Sequence, residues 1–157
     1  MRLLLTNIIL AFFILTSFGQ KTKSYDVVVY GGTSAGIASA IQSSRMGKSV
    51  VLVEPGKRLG GLTTGGLGQT DIGNKHVVGG ISREFYQNIG KYYQIPENWK
   101  WQERSDYVDE GQTRTEKGED AMWTFEPSAA LKVYHQMLSH EKVDIVYGER
   151  LNRESGV

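Results

Sequence analysis

The chain has 157 residues, a net charge of +1 from 18 basic and 17 acidic side chains, and no cysteine. The length suits one domain, and the charge balance lacks the basic excess typical of nucleic-acid binding, so no such partner is expected. Without cysteine, the chain has no disulfide, no thiolate nucleophile and no cysteine ligand for an iron–sulfur cluster. The 19 glycines exceed average usage and cluster at 31–36, 60–68 and 79–80.

The first 19 residues have the pattern of a secretory signal peptide. A basic start at Arg2 precedes an apolar run, and Ser17 and Gly19 occupy the small-residue positions of a cleavage site before the polar Gln20. The apolar run is shorter than the roughly 20 residues that span a bilayer. We therefore predict a signal peptide at 1–19, export to the periplasm or the extracellular space, and no stable membrane span after cleavage. The alternatives are an uncleaved anchor or a buried helix.

Residues after the signal peptide begin with the pattern of a strand–helix–strand unit. Segment 25–30 is a run built on β-branched residues without polar alternation, which predicts a strand covered on both faces, as in a parallel sheet. A helix is predicted from Ser34 to a stop at Gly47. Its stripe of small and apolar residues is Ile37, Ala40, Ile41 and Ser44. A second buried strand at 49–54 completes a unit of about 30 residues, the usual size.

The rest of the chain predicts two more helices and a third strand. One helix is predicted after Gly79 and Gly80, and another is predicted to begin at Pro127. The segment 97–120 between them is predicted to be irregular, charged and at the surface. Residues 143–147 are predicted to form a strand. The expected inward-facing side chains are Ile81, Phe85, Ile89, Tyr92 or Tyr93, Leu131, Tyr134 and Leu138. The predicted fold class is α/β: a Rossmann-type parallel sheet with helices, incomplete over this length, with residues 20–157 expected to be the N-terminal part of one such domain.

The turn after the first strand is a candidate site for a dinucleotide. In G-x-G-x-x-G the first glycine allows the tight turn, the second lets the backbone approach the pyrophosphate, and the third lets the helix pack on the sheet. Here Thr33 replaces the middle glycine. Its β-carbon narrows the approach, although its hydroxyl is able to donate to a phosphate. The predicted contacts are Gly31, Gly32, Thr33, Ser34, Ala35 and Gly36. The alternative is a turn that merely packs tightly.

An acidic residue ends the second predicted strand. Glu54 lies 18 residues after Gly36, near the place where a carboxylate accepts hydrogen bonds from ribose hydroxyls. A carboxylate there disfavours a 2′-phosphate, so NADP is the least favoured dinucleotide.

The second glycine-rich segment favours FAD over NAD. A strand–helix–strand unit for NAD needs no second glycine-rich loop after the acidic residue, whereas a longer ligand must lie along backbone free of side chains. The candidate residues in this segment are Gly60, Gly61, Leu62, Thr63, Gly65 and Gly66. The alternative is a flexible turn.

On these residues the chain resembles the FAD-dependent oxidoreductases, whose wider superfamily includes flavoprotein subunits of fumarate reductase and heterodisulfide-reductase-like flavin subunits. The resemblance is carried by residues 25–36, 51–56, 59–66 and 123–127. It implies that the first turn holds the pyrophosphate and that Glu54 holds the adenosine ribose. Gly61, Leu62 and Thr63 would line the pyrophosphate and ribityl region, with Gly65 and Gly66 near the isoalloxazine ring. Some relatives attach flavin through a histidine in this stretch, and none lies between Glu54 and Gly68, so FAD is expected to be non-covalent.

The resemblance also implies a longer protein, since family members continue with more strands and a substrate-binding part. We therefore expect this chain to be a truncated product or fragment that binds FAD weakly and turns over nothing alone. The function predicted for the whole is flavin-mediated hydride or electron transfer from a small organic substrate to an unknown redox partner. The alternatives are an NAD-linked dehydrogenase and a non-catalytic, exported nucleotide-binding remnant.

No catalytic residue is assigned from the sequence. Near the second glycine segment, His76, Asp71 and Arg83 are candidates to face a flavin or a carboxylate substrate, or they are ordinary polar residues. His135 and His140 are expected to face solvent. The tryptophans Trp99, Trp101 and Trp123 either form an aromatic platform for a sugar or other ring, or pack at the edge of the core.

Overall fold

Three short strands form a parallel sheet in the computed structural model, which describes residues 22–154. The strands are β1 (Val27–Tyr30), β2 (Val50–Glu54) and β3 (Asp144–Tyr147), and β2 lies in the centre. Val28 pairs with Val51, and Val51 pairs with Asp144. The predicted parallel α/β sheet is therefore confirmed. The predicted signal peptide lies outside the described residues and stays a prediction.

Between residues 22 and 154, four α-helices connect and cover the strands. They are α1 (Ser34–Arg45), α2 (Leu62–Gly65), α3 (Gly80–Tyr93) and α4 (Pro127–His140). Single 3-10 turns lie at Lys75–Val77, Pro96–Asn98, Arg104–Asp106 and Gly111–Thr113. The long helices and the irregular segment between α3 and α4 match the predicted elements, whereas α2 was not predicted. Over residues 22–154, no helix combines the length and apolar character needed to cross a membrane.

The core lies between the sheet and the helices α1, α3 and α4. Its fully buried side chains include Ile37, Ile41, Leu52, Ile89 and Leu138. Each large apolar side chain buried in this way contributes about 1.5–3 kcal/mol relative to exposure. The helical stripes predicted for α1, α3 and α4 are confirmed, because their apolar members meet in this one cluster.

The opposite face of β1 is exposed, which corrects the prediction that β1 is covered on both faces, whereas Val51 of the central strand is buried on that side. Val28 is 63% exposed and Tyr30 is 46% exposed, while Val27 and Val29 pack against the core. An unbroken apolar run predicts a strand buried on both sides. Across the described residues, however, the buried apolar cluster includes the core-facing side of the sheet only. The sequence pattern shows that both faces of this strand are apolar, but tertiary packing decides whether other residues cover each face.

The irregular segment before α4 is anchored to the body by a buried ion pair. The Lys75 ammonium lies 2.6 Å from the Glu119 carboxylate and donates to the carbonyl of Arg114. The Trp123 indole N–H donates to the same carboxylate at 2.7 Å. Because each polar group has a partner, the burial of these charges is compensated. This cluster explains why a segment dense in charge follows a defined path.

Candidate functional site

The turn between β1 and α1 requires glycine for steric reasons. A β-carbon at Gly36 would overlap with the carbonyl oxygen of Gly31, and one at Gly32 would overlap with the Leu59 side chain. Gly31 has a φ of +103°, which side chains rarely adopt, and its N–H donates to Val53 at 2.8 Å. The fold therefore requires glycine at these positions, because the backbone of the turn packs too closely against its surroundings to leave room for a side chain.

Thr33, which departs from the glycine pattern, is the N-cap of α1. Its side-chain oxygen accepts a hydrogen bond from the N–H of Gly36 at 3.2 Å, a usual role for threonine at this position. The N–H groups of Ser34 and Ala35 belong to the first turn and have no partner within the helix. They lie at the N-terminal end of α1, which is the positive end of the helix dipole. The residues predicted to contact the pyrophosphate therefore form a helix N-terminus that is able to bind an anion.

Glu54 lies beside this turn with its carboxylate held in place. One carboxylate oxygen accepts the N–H of Gly32 at 2.7 Å, and the other accepts the N–H of Gly56 at 2.6 Å. Each carboxylate oxygen is able to accept more than one hydrogen bond. The half-buried Glu54 therefore still has acceptor capacity toward solvent, at the position predicted for a ribose contact.

The second glycine segment lies directly against the first. The N–H of Gly60 donates to the carbonyl of Gly32 at 2.6 Å, and the Ser34 hydroxyl donates to the carbonyl of Gly60 at 3.2 Å. The hydroxyls of Ser34 and Thr63 lie 2.9 Å apart. The structure thus brings together the two segments that the sequence places about 30 residues apart, with Glu54 beside them.

The glycines of the second segment fall into two groups, according to whether the surrounding structure leaves room for a side chain. Those at 60 and 68 are packing glycines, since a β-carbon would overlap with the Thr64 side chain or with the carbonyl of Phe125. Gly65 and Gly66 are exposed and have open space where a side chain would be. Leu62–Gly65 within this segment forms one helical turn. Gly61, before this turn, is exposed as well.

Tyr134 of α4 interacts with a hydroxyl of each segment, Ser34 and Thr63, and the sequence did not reveal this. The ring is buried and stacks on Phe85 with centroids 4.4 Å apart. Burial raises the pKa of Tyr134, although interactions with the hydroxyls of Ser34 and Thr63 act to lower it. Helical periodicity predicted that Tyr134 points inward. It carried no information on which hydroxyls would meet it.

The polar residues considered as catalytic candidates have partners elsewhere or face solvent. Arg83 donates to Asp120 at 2.6 Å and lies over the Trp123 ring at 5.4 Å. His76 is exposed and lies 3.9 Å from the Glu116 carboxylate, and Asp71 accepts from Gln112 at 3.3 Å. The side chains of His135 and His140 are exposed. These placements supply no argument for a catalytic role.

The three tryptophans do not form one platform. Trp123 is fully buried and packs against Tyr86 with centroids 4.4 Å apart. Trp99 is half-buried against Tyr93, and Trp101 is 84% exposed. The core interpretation therefore holds for Trp123, while Trp101 is a surface residue.

Comparison with known families identifies the family of this chain. The model of the FAD dependent oxidoreductase family matches residues 26–155. The chain belongs to this family. The cofactor of FAD-dependent oxidoreductases is FAD, and the residues present fit it: a close turn that needs glycine at positions 31, 32 and 36, the N–H groups at the start of α1, and a carboxylate at the end of β2. The family and cofactor expected from the sequence are confirmed, and the residue-by-residue contacts stay predictions.

Solved structures add distant likenesses to this family assignment. The crystal structure of OTEMO in complex with FAD and NADP has a TM-score of 0.43 and 17% identity, covering 83% of this chain and 20% of that one. A 3-ketosteroid-delta4-(5alpha)-dehydrogenase from Rhodococcus jostii RHA1, in complex with 4-androstene-3,17-dione, has a TM-score of 0.46 and 18% identity, covering 86% and 40%. This family member thus spans less than half the length of either. A search of curated proteins finds no match.

Proposed function

We propose that this chain is the FAD-binding portion of a flavin-dependent oxidoreductase and holds the adenosine diphosphate half of the cofactor along its two adjacent glycine segments. The observation that supports the proposal most is the hydrogen bond of 2.6 Å between Gly60 and Gly32, with the Glu54 carboxylate 2.7 Å from the N–H of Gly32. Closely packed glycine turns and a carboxylate beside them are what a dinucleotide site requires.

The pyrophosphate is assigned to the N-terminal turn of α1. Unpaired N–H groups and the helix dipole stabilise negative charge there without a basic side chain in the turn itself. Arg58 donates to the Thr64 hydroxyl at 3.3 Å and brings one positive charge to the second segment. Glu54 is assigned to the ribose, because a carboxylate accepts from two adjacent hydroxyls.

We assign the flavin half of FAD to the surface next to Gly65 and Gly66, where the backbone is exposed and no side chain covers it. When bound, FAD would supply the redox chemistry, hydride or electron transfer with a small organic substrate. The residues of this chain bind and orient the cofactor. Attachment is proposed to be non-covalent, since no histidine lies between Glu54 and Gly68.

The test is a titration of the purified chain with FAD, followed by the quenching of flavin fluorescence, with NAD as a competitor. We expect Glu54→Gln to weaken FAD binding about tenfold, equal to about 1.4 kcal/mol, because the amide replaces an acceptor with a donor. Glu97→Gln, an exposed change in a 3-10 turn, is the matched control and should leave affinity unchanged.

Circular dichroism of each variant separates loss of binding from loss of folding. Equal FAD affinity of folded Glu54→Gln and the parent chain would contradict the assignment of the ribose. Tighter binding of NAD than of FAD would contradict the proposal as a whole.

A further inference from the structure

An aromatic cavity of about 190 Å³ lies beside the end of the second glycine segment. The N–H of Phe125 donates to the carbonyl of Gly68 at 2.8 Å, and Gln69 forms an antiparallel bridge with Thr124. Phe125 and Thr124 also line the cavity. The cavity therefore begins where the backbone leaving the proposed flavin site ends.

The inner wall of this cavity is held rigidly. Trp99 packs against Tyr93 with centroids 4.9 Å apart and against Tyr107 at 5.4 Å. Its indole N–H donates to the carbonyl of Tyr93 at 2.8 Å. A wall fixed by ring contacts and a hydrogen bond needs little ordering when a ligand arrives, which favours binding.

The outer wall is Trp101, a large aromatic side chain left 84% exposed. Trp99, two residues earlier, is half-buried against Tyr93, so the exposure of Trp101 is not shared by its aromatic neighbour. A broad apolar face at the mouth of a cavity is a common feature of ligand sites, whereas scattered exposed apolar residues need no explanation.

Polar groups of both hydrogen-bonding types also line the cavity. Lys100 and Gln102 flank the exposed indole and supply donors, and Glu126 supplies a carboxylate. Glu126 is held by Tyr93, whose hydroxyl donates to the carboxylate at 2.9 Å and accepts the backbone N–H of Glu126 at 3.0 Å. The lining thus combines aromatic faces with fixed acceptors and nearby donors.

We propose that this cavity binds a single pyranose ring of a carbohydrate, with one face of the ring stacked on Trp101. A sugar ring presents an apolar C–H face to an indole and hydroxyls around its edge to donors and acceptors. A flat hydrocarbon ring would also fit against the aromatic walls. It would, however, displace water from Glu126 and Lys100 and form no hydrogen bonds in place of those that the water made. The volume is below the roughly 300–1,000 Å³ of sites for larger ligands, so it suits one ring.

The position of the cavity extends this inference to the substrate. A sugar bound there lies next to the segment that leads toward the proposed flavin position, so a carbohydrate is the substrate class for the oxidoreductase. This last step rests on the proposed function, whereas the binding of the sugar does not.

The test is isothermal titration calorimetry of the full chain, without added flavin, with methyl β-D-glucopyranoside, methyl β-D-galactopyranoside and phenol. We expect saturable binding of at least one glycoside, weaker binding of phenol, and a loss of about tenfold in affinity in Trp101→Ala. Trp101→Phe should retain part of the affinity. Val77→Ala, an exposed apolar change (76% exposed) outside the cavity lining, is the control and should bind like the parent chain.

The inference is overturned if neither glycoside binds the parent chain, if folded Trp101→Ala binds as well as the parent, or if phenol binds at least as tightly as the glycosides. Because no flavin is present, the outcome is independent of the FAD titration. A chain that binds FAD but no glycoside overturns only the sugar inference. A chain that binds a glycoside but no FAD overturns the proposed function and, with it, the assignment of carbohydrate as the substrate class, and leaves the sugar site itself standing.

Discussion

Gly36 shows how a residue that marks a cofactor loop is also required by the fold. The sequence pattern assigns it to close packing between helix and sheet, and the structure places the carbonyl of Gly31 where its β-carbon would be. The obstruction is backbone, which cannot move aside as a flexible side chain does. Glycine is therefore needed here before any ligand is present.

We predict that Gly36→Ala destabilises the chain by about 1–3 kcal/mol, the usual cost of forcing an extra carbon into a packed site. Urea denaturation followed by circular dichroism measures this change. Gly73→Ala is the matched control, because Gly73 has open space around it, and it should change stability by less than about 0.5 kcal/mol. Equal stability of the two variants would contradict the steric argument.

Arg45 connects three helices at the end of α1. Its guanidinium donates two hydrogen bonds to Glu84 of α3, at 2.7 and 2.8 Å, and one to Glu141 after α4 at 2.9 Å. These hydrogen bonds hold the pKa of both carboxyls below the ordinary value of 4.5. The three helices that cover the sheet are thus joined by charge as well as by apolar packing.

A carboxyl whose pKa is lower in the folded state stabilises the fold above its unfolded pKa and loses that contribution as pH falls through the folded value. We predict that stability falls more steeply below pH 4.5 in the parent chain than in Arg45→Met. At neutral pH the difference should be about 0.5–1 kcal/mol, since solvent screens these partly exposed groups. Urea denaturation across the acid range measures both, and parallel pH curves would refute the prediction.

At the scale of the whole molecule, the sheet is covered on one face, and its outer strands are exposed on the other. Val28, Tyr30 and Val146 are exposed on the open side, and within the described residues β1 pairs with β2 alone. An apolar face next to an unpaired strand edge is prone to association between chains. The incomplete sheet expected from the sequence therefore has a physical consequence.

We predict that Val28→Thr reduces self-association as protein concentration rises, measured by sedimentation velocity. The change keeps the branched shape and adds a hydroxyl that water reaches, so stability should stay within about 0.5 kcal/mol. Val77→Thr makes the same substitution at an exposed position outside the sheet and should leave association unchanged. If the two variants associate alike, the open face is not the cause.

Elements that depend on near neighbours were predictable. The start of α4 at Pro127 follows from a fixed φ and a missing N–H, and the end of α1 before Gly47 follows from the φ of +79° that glycine adopts there. The single turn α2 was missed, because four residues are too few for a periodic pattern. The ion pair of Lys75 and Glu119 was also missed, since charge alone suggests exposure.

The sequence by itself determined the order of the elements, the family and the cofactor class, because the glycine spacing and the acid at Glu54 reflect geometry that a few neighbouring residues impose. Only the tertiary structure decided that Gly60 contacts Gly32, that Tyr134 interacts with Ser34 and Thr63, and that Trp101 lines a cavity. The reason is physical: local backbone preferences act over a few residues, whereas these contacts join residues far apart in the chain and form only when the core packs.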